Sequence, residues 1–161
     1  MTRYKNIIIA INLILLTGYF SWSTLQKEHT LKNGQLVLLE LAPVDPRSLI
    51  QGDYMVLRYA IARGSESNFP KNPKTGYYVL QLDDNSVGTV KRIQANHQPV
   101  QDGEVIVRYQ LWGDKIGAES YFFEEGKAGK FGKAKYGGLK VDKNGASILT
   151  GLYDYDFKLI E

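Results

Sequence analysis

Acidic side chains are the best candidates for chemistry in this chain. Glu119, Glu124 and Glu125 lie close together late in the sequence, and Asp45 and Asp53 lie in a turn-like segment early in it. Two carboxyl groups that face each other across a cleft can act as general acid and general base, as glycosidases require. The sequence leaves their separation open. If Glu119 lies on the polar face of a strand, a solvated or salt-bridged carboxylate is favoured over a catalytic one.

Metal and thiol chemistry have little support in the residue types. His29 and His97 are the only histidines, they stand far apart in the sequence in polar surroundings, and the chain has no cysteine. A metal centre needs three or four well-spaced ligands, and a serine triad needs a histidine beside its nucleophile. We therefore predict no metal site, no cofactor and no disulfide.

The densest local pattern lies just before the second candidate strand. Asp45 followed by Pro46 suits a helix N-cap and first turn, so 46–50 is predicted to form one short helical turn. Gly52 can adopt the left-handed conformation that ends such a turn. Arg47 can form a bidentate pair with a neighbouring carboxylate, and this structural role is favoured over ligand binding.

The same segment carries a family resemblance. Gly52, Asp53, Tyr54, Leu57 and Tyr59 are spaced as in the signature of the GDYXXLXY protein family, which they resemble together with the lead-in Pro-Val-Asp-Pro-Arg-Ser. That family comprises bacterial membrane-anchored proteins of unassigned function. The resemblance implies an inner-membrane address and association with a multi-pass membrane protein.

A second block, Glu119-Ser120-Tyr121-Phe122 followed by Glu125-Gly126, is similar to the family's downstream motif, with Glu124 at the place of an expected proline. Pattern and resemblance together mark one set of residues for a motif or binding role. These are Pro43, Asp45, Pro46, Arg47, Gly52, Asp53, Tyr54, Leu57, Tyr59, Glu119, Ser120, Tyr121, Glu125 and Gly126.

The early segment is also similar to the part of signal peptidase I in which Ser-Met-x-Pro leads into Gly-Asp. When the two are aligned on Pro46 and Gly52, Pro43 stands where the nucleophilic serine would be. Proline has no hydroxyl, and the lysine base has no matching neighbour, so serine acyl transfer is not expected here.

The N-terminal residues predict a membrane anchor. The run 6–26 carries no charge and has about the length, roughly 20 residues, that a helix needs to cross a bilayer core. Arg3 and Lys5 precede it and favour a cytoplasmic N-terminus. A cleaved signal peptide is the alternative, although the region 19–25 offers no Ala-x-Ala-like site. We therefore predict an anchor with its cytoplasmic tip in 1–26 and an extracytoplasmic domain in 27–161, a single-pass protein of the bacterial inner membrane.

Charge argues against nucleic acid as a partner. The chain has 20 Lys and Arg against 17 Asp and Glu, and two of the basic residues, Arg3 and Lys5, precede the apolar run. The remainder is close to neutral, whereas binding to a phosphate backbone requires a basic excess.

Beyond Lys27 the sequence has short alternating or β-branched segments separated by Gly, Asn, Asp and Pro, which is typical of strands. Turn sequences at 83–86 and 142–145 suit hairpins. The predicted strands are 35–41, 54–61, 77–82, 87–94, 104–111, 115–123, 138–141 and 147–155, the last with a continuation through 157–160. We predict a mostly β protein: an N-terminal transmembrane helix, then a compact antiparallel β sandwich or half-open barrel with one short helical turn near 46–50.

The glycine- and lysine-rich segment 126–138 lacks the spacing of a phosphate-binding loop. A mobile solvated loop with room for one helical turn is the favoured interpretation.

Two functional hypotheses follow. The first is a non-enzymatic accessory or binding protein, which the anchor confines near an integral membrane partner or an envelope component. The second is a cryptic hydrolase of an envelope polymer that uses Asp53 or Glu119 as acid or base, and it requires a cleft that holds both carboxylates.

Overall fold

A computed structural model describes residues 2–42, 54–61, 75–110, 116–124 and 126–161. The short turn predicted near 46–50 lies outside these ranges. In chain order, the described elements are α1 (Thr2–Asn33), β1 (Gln35–Glu40), β2 (Tyr54–Val56), β3 (Thr75–Leu82), β4 (Gly88–Gln94), β5 (Glu104–Gln110), β6 (Ser120–Phe122), α2 (Ala128–Phe131), β7 (Tyr136–Val141) and β8 (Ser147–Tyr153).

By length and composition, α1 is able to cross a membrane. Within its span Tyr4–Asn33, the most apolar window of 18 residues has a mean hydropathy of 1.6, and the rest of the chain buries none of that window. This exposure excludes a buried core helix. The side chains of Asn12, Thr17 and Thr24 each donate to the carbonyl four residues earlier. These three polar side chains are therefore satisfied inside the helix, as a hydrocarbon environment requires.

The helix passes into the β domain without a linker. Gly34 alone separates α1 from β1. The Gly34 N–H donates to the Thr30 carbonyl at 2.8 Å, and the Gly34 carbonyl accepts a hydrogen bond from Lys140 Nζ at 3.0 Å. A Cβ at Gly34 would collide with the Thr30 carbonyl oxygen, which explains the glycine. The end of α1 also packs against β7 and β8, so the helix is held against the sheet.

Three small antiparallel sheets make up the described part of the domain, in the orders β1-β7-β8, β4-β3-β5 and β2-β6. Within the first sheet, Gln35 pairs with Val141 next to α1, and Glu40 pairs with Tyr136 at the opposite end. We call these the helix-proximal and helix-distal ends of the domain.

Single backbone contacts join the sheets. The Leu38 N–H donates to the Ser86 carbonyl at 2.8 Å, which links β1 to the start of β4. The Arg108 N–H donates to the Gly145 carbonyl at 2.8 Å, which links β5 to the hairpin between β7 and β8. These links wrap the sheets around one core, which confirms the prediction of a mostly β, antiparallel fold after a long apolar helix.

The core lies between the sheets and takes side chains from nearly every strand. Its fully covered members share large apolar or aromatic side chains and zero to two per cent exposure: Val37, Leu38, Leu39, Leu57, Tyr59, Tyr78, Val79, Leu80, Val107, Tyr109, Leu139, Val141 and Leu152. Tyr78 and Tyr109 pack ring against ring with centroids 4.6 Å apart. Burial on this scale is the main stabilising contribution to the domain.

The same hairpin geometry occurs three times, at Asp83, Asp142 and Asp154. In each, the carboxylate accepts the N–H groups two and four residues later, at 2.7–3.0 Å. The residue three positions later then adopts a positive φ. Sequence analysis predicted the first two turns. The third replaces the predicted continuation of β8, because the chain reverses there and Leu159 pairs with Tyr153.

Two predicted strands are shorter than expected. The segment 54–61 is regular only over β2; Tyr59 then forms an isolated bridge with Leu41, and residues 60–61 are helical. The segment 115–123 is regular only over β6. In both, single hydrogen bonds to neighbouring segments replace a continuous ladder.

Strand β5 is more buried than the alternation of its residues suggests. Glu104 and Ile106, which alternate with Val105 and Val107, are 8% and 4% exposed, and Arg108 on the same side is exposed. β5 therefore buries most of both faces.

Candidate functional site

The two family-like sequence blocks are hydrogen-bonded to each other. β2 and β6 pair antiparallel, with Met55 opposite Tyr121 and Val56 opposite Ser120. The Leu57 N–H extends the pairing by donating to the Glu119 carbonyl at 2.7 Å. Sequence analysis marked both blocks but gave no reason to place them side by side. We call this pair of strands the motif ribbon.

The inner face of the motif ribbon belongs to the core. Met55, Leu57 and Tyr59 are 4%, 1% and 2% exposed, as expected for alternate residues of one strand face. The Ala42 N–H donates to the Arg58 carbonyl at 2.7 Å, which joins this segment to the helix-distal end of β1. The ribbon is thus fixed to the main sheet at the end away from α1.

Tyr59 fixes the motif in place through its ring and its hydroxyl. Its Oη donates to the Ala118 carbonyl at 2.6 Å. A Cβ at Gly137 would lie 2.9 Å from Tyr59 Cε1, so the ring packs directly on the backbone of β7. Burial, and secondarily the nearby Glu119 carboxylate, raises the pKa of the Tyr59 phenol. The phenol therefore stays protonated and acts as a hydrogen-bond donor.

Glu119 faces a small cleft of about 250 Å³ that Arg108 and Ser147 also line. One of its carboxylate oxygens, Oε1, accepts the Gly117 N–H at 2.9 Å. The side chain is half-buried. This contact stabilises the turn that leads into β6.

Tyr121 and Phe123 anchor the glycine- and lysine-rich segment. Both rings pack against Phe131 of α2, with centroids 5.1 and 5.2 Å apart, and Phe131 is 5% exposed. The predicted helical turn is therefore present and fixed to the core by its aromatic residue. Lys130 and Lys133 of the same segment are exposed.

The outer face of the motif ribbon is partly apolar and exposed. Val56 is 38% exposed, its partner Ser120 is exposed, and Phe122 is 73% exposed. Val56 and Phe122 are diagonal neighbours on the paired strands, so this face presents two apolar side chains to solvent.

Several marked residues lie outside the described ranges: Pro43, Asp45, Pro46, Arg47, Gly52, Asp53 and Glu125. The capping turn, the pair between Arg47 and a carboxylate, and any couple that involves Asp53 therefore stay predictions. For Tyr54 the strand backbone is described, and Gly126 adopts a φ of 86°, which suits a glycine.

Sequence analysis missed the buried charge of Glu104. Its two oxygens accept Arg92 Nη1 at 2.6 Å and Nη2 at 2.8 Å, Lys91 Nζ lies 3.0 Å away, and the Gln101 N–H donates at 3.0 Å. These contacts, the Arg92 hydrogen bonds first, lower the pKa of Glu104 to about 2. A glutamate at the start of an apolar strand was the available signal, but its partners Arg92 and Lys91 are on another strand.

The histidines, far apart in the sequence, line one cleft. A cavity of about 960 Å³ at the helix-proximal end is lined by His29 of α1, by His97 and by the hairpin residue Lys143. Among the described residues, no group of three or more acidic or histidine side chains is arranged to hold a metal ion. The walls of the cleft carry both polar and apolar side chains.

Comparison with known proteins gives one match. No curated protein and no solved structure matches the chain significantly. The family model described as GDYXXLXY protein matches residues 16–152, which covers most of the chain and includes both strands of the motif ribbon. The chain belongs to the GDYXXLXY family.

Proposed function

We propose that the protein is a membrane-anchored, non-enzymatic accessory protein whose motif ribbon binds an integral membrane partner or an envelope component. The observation that carries this proposal is the two-sided ribbon. Its inner face is part of the core, whereas its outer face presents Val56, Ser120 and Phe122 to solvent. A rigidly supported apolar surface binds without first having to be ordered.

Anchoring is supported by the continuity of α1. The uncharged run 6–26 rises about 30 Å, which matches a bilayer core, and the polar residues 27–33 extend the helix by about 10 Å. Because Gly34 joins the helix directly to β1, the domain would lie just beyond the headgroups. β1 then adds about 20 Å between α1 and the motif ribbon.

The proposed orientation places the N-terminus in the cytoplasm and the β domain outside, on the basis of Arg3 and Lys5. The chain lacks cysteine, so one introduced thiol reports its own side of the membrane. Lys133→Cys should be labelled by a membrane-impermeant maleimide in intact cells, and Thr2→Cys should be labelled only after lysis. The reverse pattern would contradict the orientation.

Partner binding is tested with a photo-crosslinking amino acid at position 122, in membranes that contain the full chain. We expect one reproducible crosslinked protein or polymer. Position 155 serves as the matched control, since Tyr155 is equally exposed, at 72%, but belongs to the third hairpin. The same products from both positions, or none from position 122, would refute the ribbon as the contact surface.

The hydrolase alternative gains no specific support. Asp53 lies outside the described residues, and Glu124 pairs with Lys127 at 2.7 Å, which lowers its pKa and keeps it ionised rather than able to donate a proton. Glu119 stabilises the turn before β6 through the Gly117 N–H. Binding is therefore the function that the geometry supports best.

A further inference from the structure

The helix-proximal cleft has walls from three separate parts of the chain. The last turns of α1 form one wall, with His29 and Asn33; the segment after β4 forms the second, with His97; and the hairpin between β7 and β8 forms the third, with Lys143. Its volume of about 960 Å³ is at the upper end of the range of ligand sites.

The two carboxylates that line this cleft are already neutralised or hydrogen-bonded. Glu104 is held by Arg92, Lys91 and a backbone N–H, as described above. Asp142 Oδ1 accepts the N–H groups of Asn144 at 2.9 Å and Ala146 at 2.8 Å. Neither carboxylate needs a cation from a ligand.

Three other polar side chains of the cleft can donate hydrogen bonds to a ligand. His29, His97 and Lys143 have exposed side chains, and none of them forms an ion pair with another residue of the described ranges. An imidazole always has at least one N–H to donate, and a lysine ammonium has three. A ligand with several anionic oxygens would complement these groups.

The position of the cleft restricts the source of that anion. His29 follows the last residue of the uncharged run by about 5 Å along the helix axis. The polar headgroup layer of a bilayer is about 5–7 Å thick on each side. One wall of the cleft therefore coincides with the headgroups of the outer leaflet, if α1 spans the membrane as proposed above.

We propose that the helix-proximal cleft binds the phosphate group of an anionic membrane lipid through His29, His97 and Lys143. This inference rests on the anchoring in the proposed function but not on the partner of the motif ribbon.

The test uses the purified full chain in nanodiscs of phosphatidylcholine and phosphatidylglycerol, without any partner. After transfer to detergent, native mass spectrometry counts the phosphatidylglycerol molecules that stay bound. We expect the double variant His97→Ala/Lys143→Ala to retain it roughly tenfold less than the original chain, because charge-assisted hydrogen bonds are lost.

Lys130→Ala/Lys133→Ala is the control, since it removes two exposed charges at the other end of the domain. It should retain phosphatidylglycerol as the original chain does. Equal retention by both double variants would overturn the proposal.

Nuclear magnetic resonance of the unmodified chain gives an independent reading, because only two histidines contribute imidazole signals. Both signals should shift when phosphatidylglycerol replaces phosphatidylcholine, and inorganic phosphate in pure phosphatidylcholine discs should leave them unchanged. The same shifts with inorganic phosphate alone would show that the cleft binds a free anion, and they would overturn the proposal that it binds a lipid.

The outcomes separate the two proposals. A chain that failed to insert into the disc would refute the anchor, and with it the proposed function. If the chain inserted but its histidine signals did not shift with phosphatidylglycerol, only the proposal of lipid binding by the cleft would be refuted.

Discussion

The helix-distal and helix-proximal ends of the domain are stabilised by different kinds of contact. At the distal end, the motif ribbon is fixed by a buried ring on a glycine backbone and by a cluster of aromatic side chains around Phe131. At the proximal end, a buried carboxylate joins two strands through charged hydrogen bonds beside an open polar cleft. The described residues of the family signature therefore contribute mainly packing, whereas polar groups without any sequence signature are gathered in a cleft.

The largest effect should follow from removing the ring at the distal end. Tyr59→Ala deletes a fully buried aromatic side chain and should destabilise the domain by about 3–5 kcal/mol. Denaturant unfolding of the full chain in detergent, followed by near-ultraviolet circular dichroism, measures this. Tyr155→Ala, on an exposed tyrosine, should change stability by less than about 0.5 kcal/mol. Similar losses in both variants would contradict the packing role of Tyr59.

A smaller distal effect is expected from adding one methyl group against that ring. Gly137→Ala places a Cβ 2.9 Å from Tyr59 Cε1 and should cost about 1–3 kcal/mol, since ring and strand must both shift. Gly129→Ala is the matched control, because a Cβ in that exposed turn of α2 meets nothing within 4 Å. That control should be neutral or slightly stabilising. An unchanged unfolding midpoint for Gly137→Ala would show that the ring is not tightly packed.

At the proximal end, Glu104→Gln should lower the melting temperature by several degrees at neutral pH, since the Arg92 and Lys91 cations lose their counter-charge. The folded protein lowers the pKa of Glu104 from 4.5 to about 2, so its stabilising contribution is complete above pH 4.5 and is lost as the pH falls toward 2. The difference in melting temperature between Glu104→Gln and the original chain should therefore become smaller as the pH is lowered.

Glu124→Gln is the control for this titration, because its pair with Lys127 is exposed and contributes little. If the difference in melting temperature between Glu104→Gln and the original chain stayed constant down to pH 2, the charge of Glu104 would not be what stabilises the proximal end.

The smallest change in stability is expected at the positive-φ position of two hairpins that share the same geometry. Ser86 has a φ of 64°, and Gly145 has a φ of 82° at the equivalent position. Ser86→Gly relieves the left-handed strain and should stabilise by about 0.5–1 kcal/mol, after the larger chain entropy of unfolded glycine is deducted.

Gly145→Ser is the reverse change and should destabilise, since its Cβ would also lie 3.1 Å from Tyr77 Cδ1. Calorimetry measures the melting temperature of both variants against that of the original chain. Two shifts of the same sign would rule out backbone strain as their cause.

Local patterns predicted the elements well where the chain depends on its immediate neighbours. The uncharged run predicted α1, alternating apolar residues predicted most strands, and the aspartates at 83 and 142 predicted their turns. Prediction failed at residues 154–158, because the turn there has the aromatic Phe157, a residue type common in strands, at its positive φ of 59°. It also failed at Glu104, whose burial depends on Arg92 in another strand.

By itself, the sequence determined the apolar helix, the antiparallel β class, the absence of disulfides and the family, because each depends on composition or on residues close together in the chain. Only the tertiary structure decided that the two family blocks pair as one ribbon and that Tyr59 requires Gly137. It alone gathered both histidines into one cleft. These are contacts between residues many positions apart, and their geometry follows from strand pairing around a common core, which no local pattern specifies.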